Sequence, residues 1–306
     1  MMGNAVFKLN GVFAHVLSSF FFALIPLYIQ LFPQTTNSNL SIEQGDWLVM
    51  QRVIWSLFVT IIFLHLTRRL KPLLVMIVNI RKWPIYICSA ILIAPQYWVF
   101  IWAPLNGETL SVALGYFSMP LVMVAISYFI YKEKLSKLRI LSITLAFLGV
   151  LYAYFLSAGI SWVVFVIAIG YPIYFIFRKH NKVDADLGFA LDNLFLLPCI
   201  ILFIPSFYSD PEIFNFSLTN IFFYLGLGGI ASLPMLLYLY AYSKLTISLF
   251  GLLGYVEPTL LFIVAVVLGE KILDADLPIY TCIFLAILIL VLDGVINIKR
   301  ERKAFI

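Results

Sequence analysis

Gly254-Tyr255-Val256-Glu257-Pro258-Thr259 opens an apolar run that closes in Gly269-Glu270-Lys271-Ile272. Half a chain earlier, Gly115-Tyr116-Phe117-Ser118-Met119-Pro120 opens a second run, which closes in Tyr131-Lys132-Glu133-Lys134-Leu135. Each copy begins with Gly-Tyr, carries a proline (Pro120, Pro258) and ends in Glu-Lys plus an aliphatic residue. Thirteen residues separate Pro120 from Glu133, and twelve separate Pro258 from Glu270. This is an internal repeat, the feature to be sought before any other. With an odd number of spans in each half of an apolar chain, the second copy inserts upside down relative to the first. That is the pattern of inverted-repeat transporters.

The rest of the composition agrees. Of 306 residues, 63% are hydrophobic and 11% charged, and the mean hydropathy is +1.04. Soluble chains carry roughly 25% charged residues, so this is an integral membrane protein. The net charge of +5 is no argument for nucleic acid, because its distribution along the chain is what matters. Cys88, Cys199 and Cys282 lie inside apolar runs without metal-ligand spacing and read as buried small hydrophobes. The run Leu9–Phe32 is longer than the roughly 7–15 residues of a signal-peptide core. It also ends in Gln30-Leu31-Phe32-Pro33 rather than in small residues, so it reads as a retained first helix.

A span needs about 20 apolar residues, and ten segments qualify: Leu9–Phe32, Trp47–Leu66, Trp83–Ala103, Leu110–Tyr131, Leu138–Phe155, Ser161–Phe177, Leu187–Phe207, Ile221–Tyr240, Ser248–Leu268 and Leu277–Ile296. With the N-terminus inside, eighteen of the twenty basic residues fall in cytoplasmic segments. Arg52, within a span, and Lys271, in an outer loop, are the other two. The outer loops carry the acids Glu43, Asp46, Glu108, Asp210, Glu212, Glu270, Asp274 and Asp276. This charge bias fixes orientation. The expected fold is all-α, with ten transmembrane helices as two inverted five-helix repeats and both termini cytoplasmic. The first repeat is 1–155, the connecting loop 156–160 and the second repeat 161–298. A basic cytoplasmic tail, 299–306, follows.

Ionisable groups within the bilayer mark function. Glu257 lies nine residues into its span, roughly 14 Å deep at 1.5 Å per residue, close to the midplane. A charged carboxylate there costs roughly 2.5–3.5 kcal/mol on insertion scales unless it is paired, hydrated or protonated. Pro258, beside it, lacks an N–H and disturbs the preceding turn. Glu257 is therefore a candidate substrate-binding group and proton carrier, against the alternative of a neutral carboxyl bonded between helices. Arg52, roughly 8 Å inside its span, either snorkels outward or turns inward to bind a substrate carboxylate or phosphate, or to pair with Glu257. Asp192 lies about as deep from the cytoplasmic side and reads as part of an inward polar pocket or a gate. Pro120 and Pro258, related by the repeat, are candidate helix hinges, and Tyr116 and Tyr255 accompany them as ring-and-hydroxyl ligands. Trp102 and Asn106 belong near an outer mouth. Trp98 sits one turn from Trp102 and serves equally as a belt anchor. His15 reads as a hydrogen-bonded packing residue, and His65, His180 and Asp293 as interfacial.

The chain has no Gly-rich phosphate loop and no His/Cys metal cluster, so no cofactor is expected. No segment between spans exceeds about fifteen residues, too short for a soluble catalytic or sensing domain.

These features resemble the drug/metabolite transporter superfamily, EamA branch, and within it the RarD proteins, named for a link to chloramphenicol sensitivity. The matching stretches are Gln51-Arg52-Val53-Ile54-Trp55-Ser56, Phe100-Ile101-Trp102-Ala103, Leu114-Gly115-Tyr116-Phe117 with Pro120-Leu121, Arg178-Lys179, Leu196-Leu197-Pro198, and Tyr255 with Pro258-Thr259. Asp192 stands where the RarD pattern has a carboxylate. Gln51, Ser111, Gly254 and Glu257 depart from the pattern, which has His, Glu, Gln and a small residue there. The resemblance implies transport of a small metabolite through a cavity between the halves and does not name the metabolite.

The expectation is a secondary transporter of the bacterial inner membrane. It moves a small organic metabolite, amino-acid-like or drug-like, by alternating access, with protons as a possible second substrate. An uncoupled facilitator or exchanger is the alternative. A membrane-embedded enzyme fits less well, since no nucleophile–base set occurs at bilayer depth, as does a non-transporting membrane protein.

Overall fold

The computed structural model describes residues 2–31, 41–132, 135–156, 160–203, 217–245, 250, 253–270 and 277–304. Among them the secondary structure is helical: α1 (Met2–Ile29), α2 (Ser41–Leu66), α3 (Leu70–Val78), α4 (Trp83–Leu105), α5 (Thr109–Tyr131), α6 (Lys137–Leu156), α7 (Trp162–His180), α8 (Ala185–Phe203), α9 (Leu218–Lys244), α10 (Val256–Val267) and α11 (Leu277–Ala304), with a 3-10 turn at Ile80–Lys82. Stretches of α1, α2, α4, α7 and α9 are long and apolar enough to cross a membrane, and shorter apolar stretches lie in α5, α6, α10 and α11. Phe58, Phe147, Phe165, Leu233 and Leu288 project from the outside of the bundle, as suits a hydrocarbon solvent. The protein is a multi-pass membrane protein.

Hydrophobicity does little to hold helices together in lipid, so packing and interhelical hydrogen bonds must. Ser18 Oγ donates to the Pro234 carbonyl at 2.7 Å, joining α1 to α9. Ser142 Oγ donates to the Ala286 carbonyl at 2.7 Å, joining α6 to α11. Ser232 Oγ donates to the Ser56 carbonyl at 3.3 Å, joining α9 to α2.

The pairing of helices has a symmetry of its own. α1 packs against α9 and α10, and α7 packs against α4 and α5. α2 packs against α9, and α8 against α4. Exchanging α1 with α7, α2 with α8, α4 with α9, α5 with α10 and α6 with α11 maps these pairs onto one another. The pairs α2–α8, α5–α10 and α6–α11 map onto themselves. The backbone is also alike at the ends of α5 and α10. Lys132, just past α5, has φ 51°, and Gly269, its counterpart past α10, has φ 87°. Both are left-handed caps that let the chain leave the helix abruptly. Glycine adopts that conformation freely and lysine only under constraint.

Several details differ from the sequence reading. The segment between spans two and three, read as a basic loop, contains α3. α2 starts at Ser41, ahead of Trp47, and α11 runs through Ala304, so most of the expected tail is helical. Cys88 and Cys199 are exposed and Cys282 is half-buried; they face outward, because a lipid-facing position and a core position are equally apolar. Asp293 is buried rather than interfacial, and Ser136 Oγ donates to it at 2.6 Å. Ser248, Glu133, Lys134, Lys271, Asp210, Glu212, Asp274 and Asp276 lie outside the described residues.

Candidate functional site

The glycine of Gly115-Tyr116 has a packing reason. A Cβ on Gly115 would stand 2.8 Å from the Ile167 Cβ, so only glycine lets α5 and α7 approach this closely. That approach sets Tyr116 against Tyr171, ring centroids 5.4 Å apart. The two tyrosines, with Phe22 of α1, Met119 of α5, Phe175 of α7, Met235 and Tyr238 of α9 and Glu257 of α10, line a small chamber. Its volume is about 10 Å³, close to the room one water needs.

Glu257 is 2% exposed. Its carboxyl interacts with the Tyr116 side chain, and its Oε1 has no hydrogen-bond partner among the described residues. An unpartnered buried carboxyl oxygen is expensive unless something else occupies the site during function. Pro258 does not interrupt a helix. It sits in the first turn of α10, where a missing N–H costs nothing, and the break in the chain lies just before it, at Gly254 and Tyr255. Pro120 lies inside the continuous α5. Tyr255 is buried and its hydroxyl has no partner, but it does not line the chamber.

Arg52 is 3% exposed and points inward. Nη1 donates to the Tyr97 carbonyl at 3.2 Å, and the guanidinium lies 4.4 Å from the Tyr97 ring centroid and 5.9 Å from that of Phe100. Phe100 in turn packs edge-on against Phe22 and Tyr116, one ring removed from the chamber. Among the described residues Arg52 has no carboxylate partner.

Asp192 is not Arg52's partner. It is 1% exposed and paired with Arg178, itself 4% exposed, at 3.1 Å. Tyr174 donates to the same carboxyl oxygen at 2.7 Å, and Arg178 Nη1 donates to the Tyr174 hydroxyl. Arg178 Nη2 donates to the Asp184 and Ala185 carbonyls at 2.6 and 2.9 Å. A Cβ on Gly188 would stand 2.2 Å from that Nη2, so glycine there makes room for the guanidinium. This buried knot ties α7 to α8. In the sequence reading Arg178 is a basic residue of an inner segment and part of the Arg178-Lys179 match to the RarD pattern, with no place in the site.

Beyond the knot opens a vestibule of about 740 Å³, lined by Arg69, Arg178, Lys182, Asp184, Lys244 and Phe175 among others. Volumes of this order hold small organic ligands. Arg69 donates to Asp184 at 2.9 Å and contacts Asp186 at 2.8 Å. Burial pushes the Asp184 carboxyl up, but its hydrogen bond with Asp186 and the Arg69 guanidinium outweigh this and hold it below the usual range. Burial and the bond with Asp184 push Asp186 up. Phe175 borders both vestibule and chamber. Around it close Tyr238, Tyr242 and Phe250, at centroid distances of 5.7, 5.7 and 6.4 Å. His15 packs on Phe250 and Tyr238, in keeping with a packing residue.

Three tryptophans cluster at the opposite end of the bundle. Trp98, Trp102 and Trp162 stack together, with centroids 5.3–5.7 Å apart. Trp98 Nε1 donates to Asp46. Asn106, exposed, caps α4 and donates to the Trp102 carbonyl at 2.8 Å. Trp102 and Asn106 thus sit at this far end, remote from Glu257.

The sequence reading missed Phe22, Met119, Tyr171, Phe175, Met235 and Tyr238. One signal was available: Met119, Tyr171, Met235 and Glu257 each adjoin a proline (Pro120, Pro172, Pro234, Pro258).

Chloramphenicol-sensitive protein RarD of Pseudomonas aeruginosa is 32% identical over 300 residues, 96% of this chain and 97% of that protein. The chain belongs to the RarD family. An uncharacterized transporter of Pasteurella multocida is 31% identical over 257 residues, 82% of this chain and 88% of its own. Protein RarD of Escherichia coli is 27% identical over 297 residues, covering 96% and 98%. No family model matches. A solved structure titled only as a protein crystal structure superposes with a TM-score of 0.57 at 17% identity, over 93% of this chain and 96% of that one, and so shares the fold. Membership of the RarD family makes the chain a membrane transporter at the level of the family.

Proposed function

We propose that this protein is a secondary transporter that carries a small organic metabolite, amino-acid-like or drug-like, across the bacterial inner membrane by alternating access. Ten spans form two inverted five-helix repeats, 1–155 and 161–298, with both termini and the basic vestibule on the cytoplasmic side. The observation that carries the reading is the Glu257 carboxyl. It is buried with a free oxygen in an aromatic chamber built from helices of both halves, one ring away from an open vestibule. The exchange symmetry of the helix pairs supports the repeat, and the positive-inside bias supports the orientation.

In this reading the structure is closed at the tryptophan end and shut over the chamber by Phe175. Substrate enters when α7 and α9 part around that ring. Glu257 then binds the substrate or holds the coupling proton, and Arg52 meets an acidic group on the solute. Tyr116 and Tyr171 position it. The Arg178–Asp192 knot acts as part of the inner gate. The chemistry is translocation, with no bond made or broken.

Uptake of labelled amino acids and related metabolites into proteoliposomes, with and without an imposed proton gradient, tests this directly. Gradient-driven accumulation should vanish in Glu257→Gln. Equilibration indifferent to the gradient in both forms would replace coupled transport with facilitation, the second reading. Accumulation and pH dependence that survive unchanged in Glu257→Gln would remove Glu257 from the coupling role.

A further inference from the structure

α3 is a nine-residue helix, about 13.5 Å long at 1.5 Å per residue and far too short to cross roughly 30 Å of hydrocarbon. It nevertheless consists almost wholly of apolar residues. Only Leu73 is buried, seated on Leu64, Tyr86, Leu187, Ala190 and Leu191. Leu74, Val75 and Val78 are exposed by 59–78%. A helix with that surface turned to water would be a liability. Here it continues the lipid-facing surface of the helices on either side, where Ile62 and Leu66 of α2 and Ile87 and Ile91 of α4 are also exposed.

Its flanks supply the second observation. From Leu66 to Trp83 the chain carries Arg68, Arg69, Lys71, Arg81 and Lys82 and no acid. Arg69 is engaged by Asp184 and Asp186. Arg68, Lys71, Arg81 and Lys82 are exposed and form no ion pair among the described residues. A left-handed turn at Arg68, φ 59°, swings the chain out of the axis of α2. Trp83 Nε1 donates to the Ile77 carbonyl at 2.8 Å and closes the far end of α3. Tryptophan favours the headgroup level, and a short apolar helix between basic turns has the composition of an element lying in the membrane plane.

We propose that α3 and its two basic flanks form a binding surface for an anionic phospholipid. The apolar residues Leu74, Val75 and Val78 rest on the acyl chains, and Arg68, Lys71, Arg81 and Lys82 hold the phosphate-bearing headgroup. Because Arg69 at the start of α3 also lines the vestibule and bridges to the α7–α8 turn, bound lipid braces the vestibule rim.

The test is lipid retention, which is independent of transport. Protein is reconstituted in nanodiscs of phosphatidylcholine with one quarter phosphatidylglycerol, and retained lipids are counted by native mass spectrometry. Wild type should retain phosphatidylglycerol over phosphatidylcholine by about fivefold or more, the factor expected from one or two basic residues near a charged surface. The preference should shrink in high salt. It should be lost in the variant Arg68→Gln, Lys71→Gln, Arg81→Gln, Lys82→Gln, and be weakened in Leu74→Ser, Val75→Ser, Val78→Ser. Should the fourfold variant fail to fold, Lys71→Gln with Lys82→Gln and the salt series on wild type carry the test. Equal retention of the two lipids, or a preference unmoved by salt and by these substitutions, would overturn the proposal.

Discussion

The Glu270 carboxylate accepts the backbone N–H of Thr109 at 2.9 Å and that of Leu110 at 2.8 Å. One side chain just past the end of α10 thereby caps the start of α5, satisfying two of the donors a helix N-terminus leaves open and placing negative charge where the helix dipole favours it. The link crosses from one half of the protein to the other at the tryptophan end.

Glu270→Ala should lower the thermal midpoint in detergent by an amount corresponding to about 0.5–2 kcal/mol, the usual worth of a helix cap. Glu270→Gln, which keeps an acceptor oxygen, should lose less. Equal midpoints for wild type and Glu270→Ala would show that the cap holds nothing.

The Arg178–Asp192 pair makes a sharper demand. Asp192→Leu strands a buried guanidinium and should destabilise by about 3–5 kcal/mol. Replacing both partners, Arg178→Met with Asp192→Leu, should recover much of that loss, because the unpaired charge is gone. Thermal unfolding of the two single variants and the double variant checks the pattern. A double variant as unstable as the sum of the singles would mean that Tyr174 and the Asp184 and Ala185 carbonyls, not the ion pair, carry the knot.

Among the described residues Phe175 is the one ring shared by chamber and vestibule. In a background with Cys88, Cys199 and Cys282 replaced by serine, Met235→Cys should react slowly with a water-soluble thiol reagent. Phe175→Ala should raise that rate by at least about tenfold, the change expected when a closed state gives up roughly 1.4 kcal/mol of its advantage. An unchanged rate would locate the barrier elsewhere in the Tyr238, Tyr242 and Phe250 cluster.

Much of this architecture is legible from residue order alone. Apolar runs located the long helices, the repeat picked out Gly115 and Tyr116, and a carboxyl at bilayer depth picked out Glu257; the fold brings the three to one chamber and its wall. What was not legible follows from what hydropathy measures. It separates water from everything else and cannot separate lipid from protein interior, so the outward-facing cysteines read as buried. It takes a basic residue at the end of a run for an interfacial one, so Arg178, held by Asp192 one turn inside α7, passed as part of a loop. It needs length, so a nine-residue, largely apolar helix between arginines passed as a connection. Nor does a proline in sequence say whether it bends a helix or begins one, so the first-turn place of Pro258, just past the turn at Gly254 and Tyr255, was not legible.

Trp98, Trp102 and Trp162 are three of the six tryptophans in the chain, and their rings lie 5.3–5.7 Å apart. Indole transitions this close couple as excitons, giving a paired positive and negative band in circular dichroism that isolated indoles lack. The cluster joins α4 to α7, and Trp98 is tethered to Asp46 of α2. Any movement that parts these helices must separate the chromophores and collapse the couplet. The protein thus carries a native optical gauge of its far end, readable in unlabelled protein.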